Sequence, residues 1–519
     1  MSRRPAIVLT IGVLLAAASP PPPMHGQAAA RATASRQTVL ETANGFDQWA
    51  DAIIKEWNIP GIAVGAIKNG KVVLLKGYGV RNLEEKQPVT PKTLMAIGSN
   101  TKSFTVVLLG QLVDEGKLDW DKPVIEYLPD FKLYDEYATK NFRVKDLVTH
   151  VSGLPRHDDL WYGRSTSRQD VFSHLRYVEP STSFRGRWQY NNLMFITAGL
   201  LAEKIAGKSW DDMVRERILQ PLEMTRTITS TNGMEAAGDF SYPYVIFNKQ
   251  IGRVPYRNID NAGPAGSINS SVEEMLHYVQ MHINMGQWNG KRILSAKNDL
   301  KMQSPQSIVT ERMENPELGP ETYGLATWVS SYRGHKWVQH GGGIDGFISQ
   351  MAWLPNDSIG VVVLSNMSGE ANPVPDIVVK RVFDDLLGLQ PIDWNARARK
   401  NVERGKASAD STRKAMMAKR VPGTSPSHPL ADYAGTYTHP GYGDVEVRAG
   451  GDGGLTIKFD KFDMPMSHHH YDVFYLDPEK LKGMPVSGLV QFLMNRDGKV
   501  DRVAIPFEPA IAPIILTRK

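Results

Sequence analysis

The stretch "AIGSNTKSFTVVLLGQL" runs from Ala96 to Leu112 and places one lysine, Lys102, inside an apolar pattern. Phe104, Val106, Val107, Leu108 and Leu109 leave no polar face, as in a helix buried at the centre of a domain. Ser99 stands three residues before Lys102, so at a helix start the two share a face. Burial disfavours the charged form of an amine. A neutral amine beside a hydroxyl can take its proton and turn it into a nucleophile. The helix N-terminus also favours the negative charge that develops during attack. S-x-x-K arises by chance as well, as a lysine reaching the surface beside a capping serine, so the motif needs company.

Two further stretches supply it. "RWQYNNLMF" contains Tyr190 and Asn192. A tyrosine serves as a general base when nearby cations stabilise its phenolate, and an asparagine offers an amide to a substrate carbonyl. The plain alternative is a buried tyrosine beside a helix cap. "VQHGGGIDGF" places His340, Gly341, Gly342 and Gly343 after an apolar strand. Glycines at a strand edge let another backbone approach closely, so an extended substrate can pair there by strand addition. The alternatives are a simple turn, or the oxyanion loop of α/β-hydrolase lipases. That fold also needs G-x-S-x-G, which this chain lacks.

The surrounding pattern sets the architecture. "GIAVGAIKNGKVVLLKGYG" reads as two strands around an Asn69-Gly70 turn. An amphipathic helix is expected from Thr38 to Glu56, and further helices over Thr101–Glu115, Val144–Thr149 and Asn192–Ile205. Ser270 and Ser271, each followed three residues later by Glu273 or Glu274, predict a capping box opening another helix. The runs "HKWVQHGGG", "FISQMAWLPN" and "SIGVVVLSN" read as strands, and "PVPDIVVKRVFDDLLG" as a closing helix. Helices flanking a late run of antiparallel strands imply an α/β (α+β) sandwich. After Pro429 the texture changes to short alternating runs separated by Gly, Asp and Asn, which predicts a small all-β barrel or sandwich.

Bulk properties frame these readings. A chain of 519 residues is too long for one core, so two domains are expected. Its 41% hydrophobic and 22% charged residues are ordinary for a globular protein. The net charge of +5 is local: residues 397–420 hold nine Lys/Arg against two Asp/Glu. That segment reads as a solvated linker helix, and no nucleic-acid-binding module is apparent. Arg3 and Arg4 precede the apolar run Ala6–Ala18 and a small-residue stretch ending near Ala28, the order of a secretory signal peptide. Export to a bacterial periplasm follows as an expectation, with no stable membrane insertion once the signal is removed. The chain has no cysteine, so its core must hold without disulfides. The expected division is therefore a signal over 1–28, a disordered stretch over 29–36, a main domain over 37–390, a basic linker over 391–428 and a β-rich domain over 429–519.

Taken in this order, the three motifs resemble those of the serine β-lactamase and penicillin-binding-protein superfamily. The similarity is nearest the branch of class C β-lactamases, D-amino-acid peptidases and related carboxylesterases. "VKDLVTHVSGLPRHD", "ILQPLEMTRT" and "PAGSINSSVEEM" extend it beyond the motifs. The resemblance implies a β-lactamase/transpeptidase-like fold, with Ser99 as the acylated nucleophile and Lys102 and Tyr190 as the proton-transfer pair, Tyr190 being the base. It further implies that Asn192 orients the substrate amide, that His340 to Gly343 bind substrate, and that the N–H groups of Ser99 and Gly343 form the oxyanion hole. No cofactor or metal is implied. The partner is a small-molecule or peptide substrate, and self-association is compatible with it.

Two departures stand out. His340 occupies the place of the lysine that binds the substrate carboxylate in β-lactamases, and a neutral imidazole does that poorly. Arg185-Gly186 stands where Pro-Gly is common. From Tyr433 the chain resembles a small lipocalin-like domain, expected to cover the active-site mouth, limit substrate size or mediate assembly. His468, His469 and His470 raise a metal reading, but His468 and His470 on one strand face are too few for a closed zinc site. In "HDDLWYGR" (His157 to Arg164), Trp161 and Tyr162 are either an apolar wall of the cleft or a structural aromatic pair.

Overall fold

The computed structural model describes residues 45–247, 250–310, 315–369, 372–450, 454–477 and 488–519. The expected signal peptide, the disordered stretch and the first turns of the Thr38–Glu56 helix lie outside the described residues. Residues 45–56 are helical.

Strands β1 (Gly61–Lys68) and β2 (Lys71–Asn82) form the expected hairpin. Asn69 and Gly70 both hold positive φ, 52° and 72°, which matches the right-handed twist of the paired strands. With β3 (Gln87–Pro88), β4 (Ser307–Thr310), β5 (Glu321–Tyr323), β6 (Trp328–Tyr332), β7 (His335–Ile344), β8 (Phe347–Leu354) and β9 (Ile359–Ser365) they make one sheet in the order β4-β5-β6-β7-β8-β9-β1-β2-β3. Its pairings are antiparallel.

The central strands are apolar without alternation because both faces are covered. Ala63, Ile67, Val362 and Leu364 face a layer containing α1 (Thr101–Asp114), α2 (Leu193–Ala206) and α3 (Val272–Ile283). Ile62, Val64, Ala66, Val361 and Val363 face residues 45–56 and α4 (Val374–Leu387). This is the α/β sandwich expected, with helices on both sides of an antiparallel sheet.

Two local expectations are corrected. Val144–Val148 is a 3₁₀ turn rather than an α-helix. Ser271 does cap α3, accepting from Glu274 N, but the reciprocal half of the capping box is missing. The Glu274 carboxylate turns away to accept from the N–H groups of Arg226 and Thr227 and from the Thr227 hydroxyl. A buried carboxylate satisfied by three donors outcompetes one local bond.

Helix α5 (Trp394–Ala418) carries the basic segment and is exposed along nearly all its length. Its start is anchored to the sandwich by Trp394 Nε1 to Tyr332 Oη at 3.1 Å and by a bidentate Arg397–Glu317 pair. A groove of about 810 Å³ runs along this helix and contains none of the motif residues. Beyond it, eight strands from Gly435–His439 to Ile514–Arg518 close an up-and-down barrel. Alternate residues such as Val445, Val447, Leu455, Ile457, Phe459, Met464 and Met466 fill its interior.

The barrel docks on residues 157–165 of the sandwich. Glu508 Oε2 accepts from His157 N at 2.9 Å, and His157 Nδ1 lies 2.7 Å from Tyr442 Oη. Arg164 stacks on Phe459 at 4.0 Å and pairs with Asp460 at 3.3 Å. Gly163 has φ +63°, and a Cβ there would sit 2.3 Å from the Phe462 ring, so this contact requires glycine. Trp161 and Tyr162 lie within this segment and pack edge to face on each other. Trp161 is buried and donates to Asp158, while Tyr162 donates to Asp345 at 2.5 Å. At the three histidines a bulge between His468 and His470 breaks the simple alternation. His468 Nε2 meets Tyr471 O, and His470 Nδ1 accepts from Val421 N. Among the described residues, no group of three or more His, Cys, Asp or Glu is arranged to hold a metal ion.

Candidate active site

Ser99 lies in a single 3₁₀ turn, Gly98–Asn100, that runs directly into α1. The turn is held from two sides. Ser349 Oγ on β8 accepts from Asn100 Nδ2 and donates to Ile97 O, each at 2.7 Å. Thr101 Oγ1 accepts from Ile268 N at 3.1 Å. Gly98 has φ +50°, and a Cβ on it would stand 2.7 Å from Gly343 N. A Cβ on Gly342 would stand 1.9 Å from Ile97 O. The glycines of the third motif therefore let β7 lie flush against the Gly98–Asn100 turn of the same chain. The segment also remains open on one side: β6 pairs with β7 only as far as Gln339, leaving His340–Ile344 paired to β8 alone.

Lys102 is completely buried, as the helix pattern predicts. Its Nζ lies 3.0 Å from Ser99 Oγ, 2.7 Å from Asn192 Oδ1 and 2.8 Å from Ala265 O. Burial holds the amine well below the usual lysine range. The nearby charge of Arg156 adds to this and that of Asp158 opposes it. A neutral amine has two N–H groups and one lone pair. Asn192 Oδ1 and Ala265 O can only accept, so they take both N–H groups, and the lone pair is left facing the Ser99 hydroxyl. The Asn192 orientation is set independently, because its Nδ2 donates to Asp158 Oδ1 at 2.9 Å.

Tyr190 is half-buried and lies close enough to Ser99 for the serine hydroxyl to act on its phenol. Its ring lies 4.9 Å from Lys102 Nζ and 4.3 Å from the ring of the buried His150. Burial pushes the phenol up to about 12, against the lowering effects of the Ser99 hydrogen bond and the Arg156 charge. A phenol raised this far favours Lys102 over Tyr190 as the group that is deprotonated at rest. Arg156 sits over the ring face, 5.2 Å from its centre, and the phenol keeps its proton at neutral pH.

His340 is corrected as well. It is only 2% exposed, with Nε2 3.0 Å from Tyr323 Oη and Nδ1 2.5 Å from Gly341 O. Burial, aided by the Lys102 charge, takes the imidazole down to about 3. His340 thus presents no cation to substrate; it packs behind Tyr190. Asn192 is more committed than expected. Its carbonyl holds Lys102 and one N–H holds Asp158, leaving a single N–H for a substrate. Arg185 adopts φ +58°, which is closed to proline, so its departure from Pro-Gly changes the turn itself.

Sequence reasoning did not single out Asp158, Arg156, His150 or Ala265. Asp158 accepts from Arg156 Nε at 2.6 Å, Trp161 Nε1 at 2.8 Å and Asn192 Nδ2. It ties the loop after "SGLP" to the lysine through one asparagine. Ala265 O reaches Lys102 because Pro264 packs on Gly199, where a Cβ would come within 2.1 Å of the proline ring. The signals were present in "SGLPRHDD" and "PAGS", but only the fold joins them.

A buried lysine, an accessible serine and a tyrosine, converging at a helix start beside a glycine-lined strand, define a serine hydrolase class of site. The comparisons agree. The Beta-lactamase family model matches residues 46–381, and the chain belongs to this family. Residues 419–515 match a domain of unknown function, DUF3471. The unguisins hydrolase ungD' of Aspergillus campestris is 28% identical over 91% of this chain and 91% of its own length. Among solved structures, the octameric penicillin-binding protein homologue from Pyrococcus abyssi superposes with a TM-score of 0.58. It is 23% identical and covers 91% of this chain and 99% of that one. The D-amino acid amidase from Ochrobactrum anthropi SV3 gives 0.56 at 20% identity, over 66% of this chain and 99% of that one. This protein is a β-lactamase-related hydrolase with a C-terminal all-β barrel.

Proposed function

We propose that the protein cleaves small peptide-like amides through an acyl-enzyme on Ser99. The observation that carries this is the buried Lys102 Nζ, 3.0 Å from Ser99 Oγ, with two carbonyl acceptors placed to take both N–H groups of a neutral amine. Lys102 takes the hydroxyl proton as Oγ bonds to the substrate carbonyl carbon. The N–H groups of Ser99 and Gly343 are assigned to the oxyanion, where each such donor contributes about 3 kcal/mol. Tyr190, protonated at rest, delivers its proton to the departing amine as the C–N bond breaks, and the proton that Lys102 took from Ser99 restores the phenol. Water then releases the acyl group by the reverse transfers.

An amidase is supported by the ready proton donor, since an amine leaves only when protonated. D-amino-acid-containing substrates enter the proposal through the D-amino acid amidase neighbour, and compact peptides through the unguisins hydrolase. Efficient β-lactam turnover is disfavoured because His340 is neutral and buried. A purely binding role is disfavoured because Lys102 is sequestered against Ser99. Export is part of the same proposal, with a mature N-terminus near residue 29 expected on sequencing.

Incubation with a fluorophosphonate followed by intact mass tests the nucleophile. One adduct on the wild type and none on Ser99→Ala is the expected result; labelling that persists in the variant would remove Ser99 from the mechanism. A panel of D- and L-aminoacyl amides, short-chain esters and a chromogenic cephalosporin then ranks amidase above esterase and β-lactamase.

A further inference from the structure

Arg156 follows Pro155 at the end of "SGLP", and its side chain is 54% exposed. Its Nε is fixed on Asp158 Oδ2. Its guanidinium lies over the Tyr190 ring, 5.2 Å from the centroid. One end of Arg156 is thus locked against the catalytic cluster. The Nη groups have no acceptor among the described residues, and Asp158 is already shared with Trp161 and Asn192.

The other cations around this loop are consumed. Arg257 holds Asp345 through Nε and Nη2. Arg164 holds Asp460 and Tyr442 O. Arg168 holds Glu203 and Asp211. His340, at the family's usual carboxylate-binding position, is turned into the core.

We propose that Arg156 is the receptor for a substrate carboxylate, so that the preferred substrates are peptide-like acyl donors with a free carboxylate beside the scissile amide. A guanidinium fork matches a carboxylate in two parallel hydrogen bonds. Stacking on an aromatic face and a fixed Nε reduce the freedom lost on binding. The cation missing at His340 is supplied instead by Arg156, over the Tyr190 ring. The proposal rests on acyl transfer at Ser99 and adds its substrate class.

The test uses dipeptides of both stereochemistries, each as the free acid and as the C-terminal amide, with the wild type, Arg156→Gln and Arg156→Lys. The wild type is expected to favour the acid by tenfold or more in kcat/KM. Arg156→Gln should bring the acid-to-amide ratio near one, mainly through KM for the acid, and Arg156→Lys should keep part of the preference. Fluorophosphonate labelling of Ser99 is run on the same samples. An unlabelled Ser99 sinks the acyl-transfer reading and this proposal with it. A labelled Ser99 that turns over neither member, prefers the amide, or gives an unchanged ratio in Arg156→Gln overturns the carboxylate receptor alone.

Discussion

Two lysines are buried among the described residues, on opposite sides of the same sheet, and their surroundings differ in one respect. Lys380 on α4 is 8% exposed and donates to the Asp376 carboxylate at 2.6 Å, between the rings of Trp337 and Trp394. Lys102 on α1 also lies against aromatic rings, those of Tyr190 and Phe195, but its hydrogen-bond partners are a hydroxyl and two neutral carbonyls. A buried amine with a carboxylate is an ion pair and a structural element. A buried amine without one is driven toward neutrality and becomes a base. The same residue type, buried on both sides of the sheet, is hydrogen-bonded to a carboxylate in one place and only to neutral groups in the other.

The largest expected effect comes from removing the reactive member of this pair. Lys102→Met should lower amide turnover on the order of 10²- to 10⁴-fold, with far-ultraviolet circular dichroism unchanged. An undiminished rate would make Lys102 a structural lysine like Lys380.

The pH profile sharpens the contrast further. The lowered Lys102 gives an acid limb, with the rate rising as the ammonium loses its proton. Tyr190 gives an alkaline limb only as pH approaches about 12. Tyr190→Phe should cost on the order of 10²-fold and abolish that alkaline limb.

Asp158→Asn tests the charge that opposes Lys102 neutrality. Without that carboxylate the ammonium is less favoured, so the acid limb moves to lower pH. Asparagine keeps one carbonyl acceptor for Asn192 Nδ2, but the hydrogen bond loses its charge assistance, which should reduce kcat about tenfold.

A smaller effect concerns stability. The His340 imidazole is near 3 in the fold against about 6.5 unfolded. The unfolded chain therefore binds more protons between these values. The contribution is complete above about 6.5 and is lost as pH falls toward 3, by at most about 1.4 kcal/mol per pH unit. Urea titrations of wild type and His340→Gln between pH 4 and 8 should show a shallower acid loss in the variant.

The smallest effect closes the comparison. Lys380→Met should leave turnover unchanged and cost at most about 1 kcal/mol, because Asp376 is half exposed and water can take over.

Much of the site was legible because its signals are local. Ser99 and Lys102 share one helical turn, and the apolar residues after them already imply burial. The Asn69-Gly70 hairpin needs only two residues tolerant of positive φ. The uninterrupted runs of β1 and β9 announce a sheet covered on both faces. What escaped depends on partners distant in the chain. Asp158 meets Asn192 across 34 residues. Glu274 abandons its own cap for Thr227. Arg156 keeps its Nη groups unbonded among the described residues because Asp158 takes only its Nε.

The amino-acid sequence by itself determined the fold class and which residues could react, since periodicity, turn chemistry and motif order act over short spans. Only the tertiary structure decided their surroundings: Lys102 buried against neutral acceptors and held low, Tyr190 pushed up, His340 turned into the core and Arg156 left with donors to spare. Those outcomes depend on burial and on the nearest charges, and both arise only when distant segments pack together.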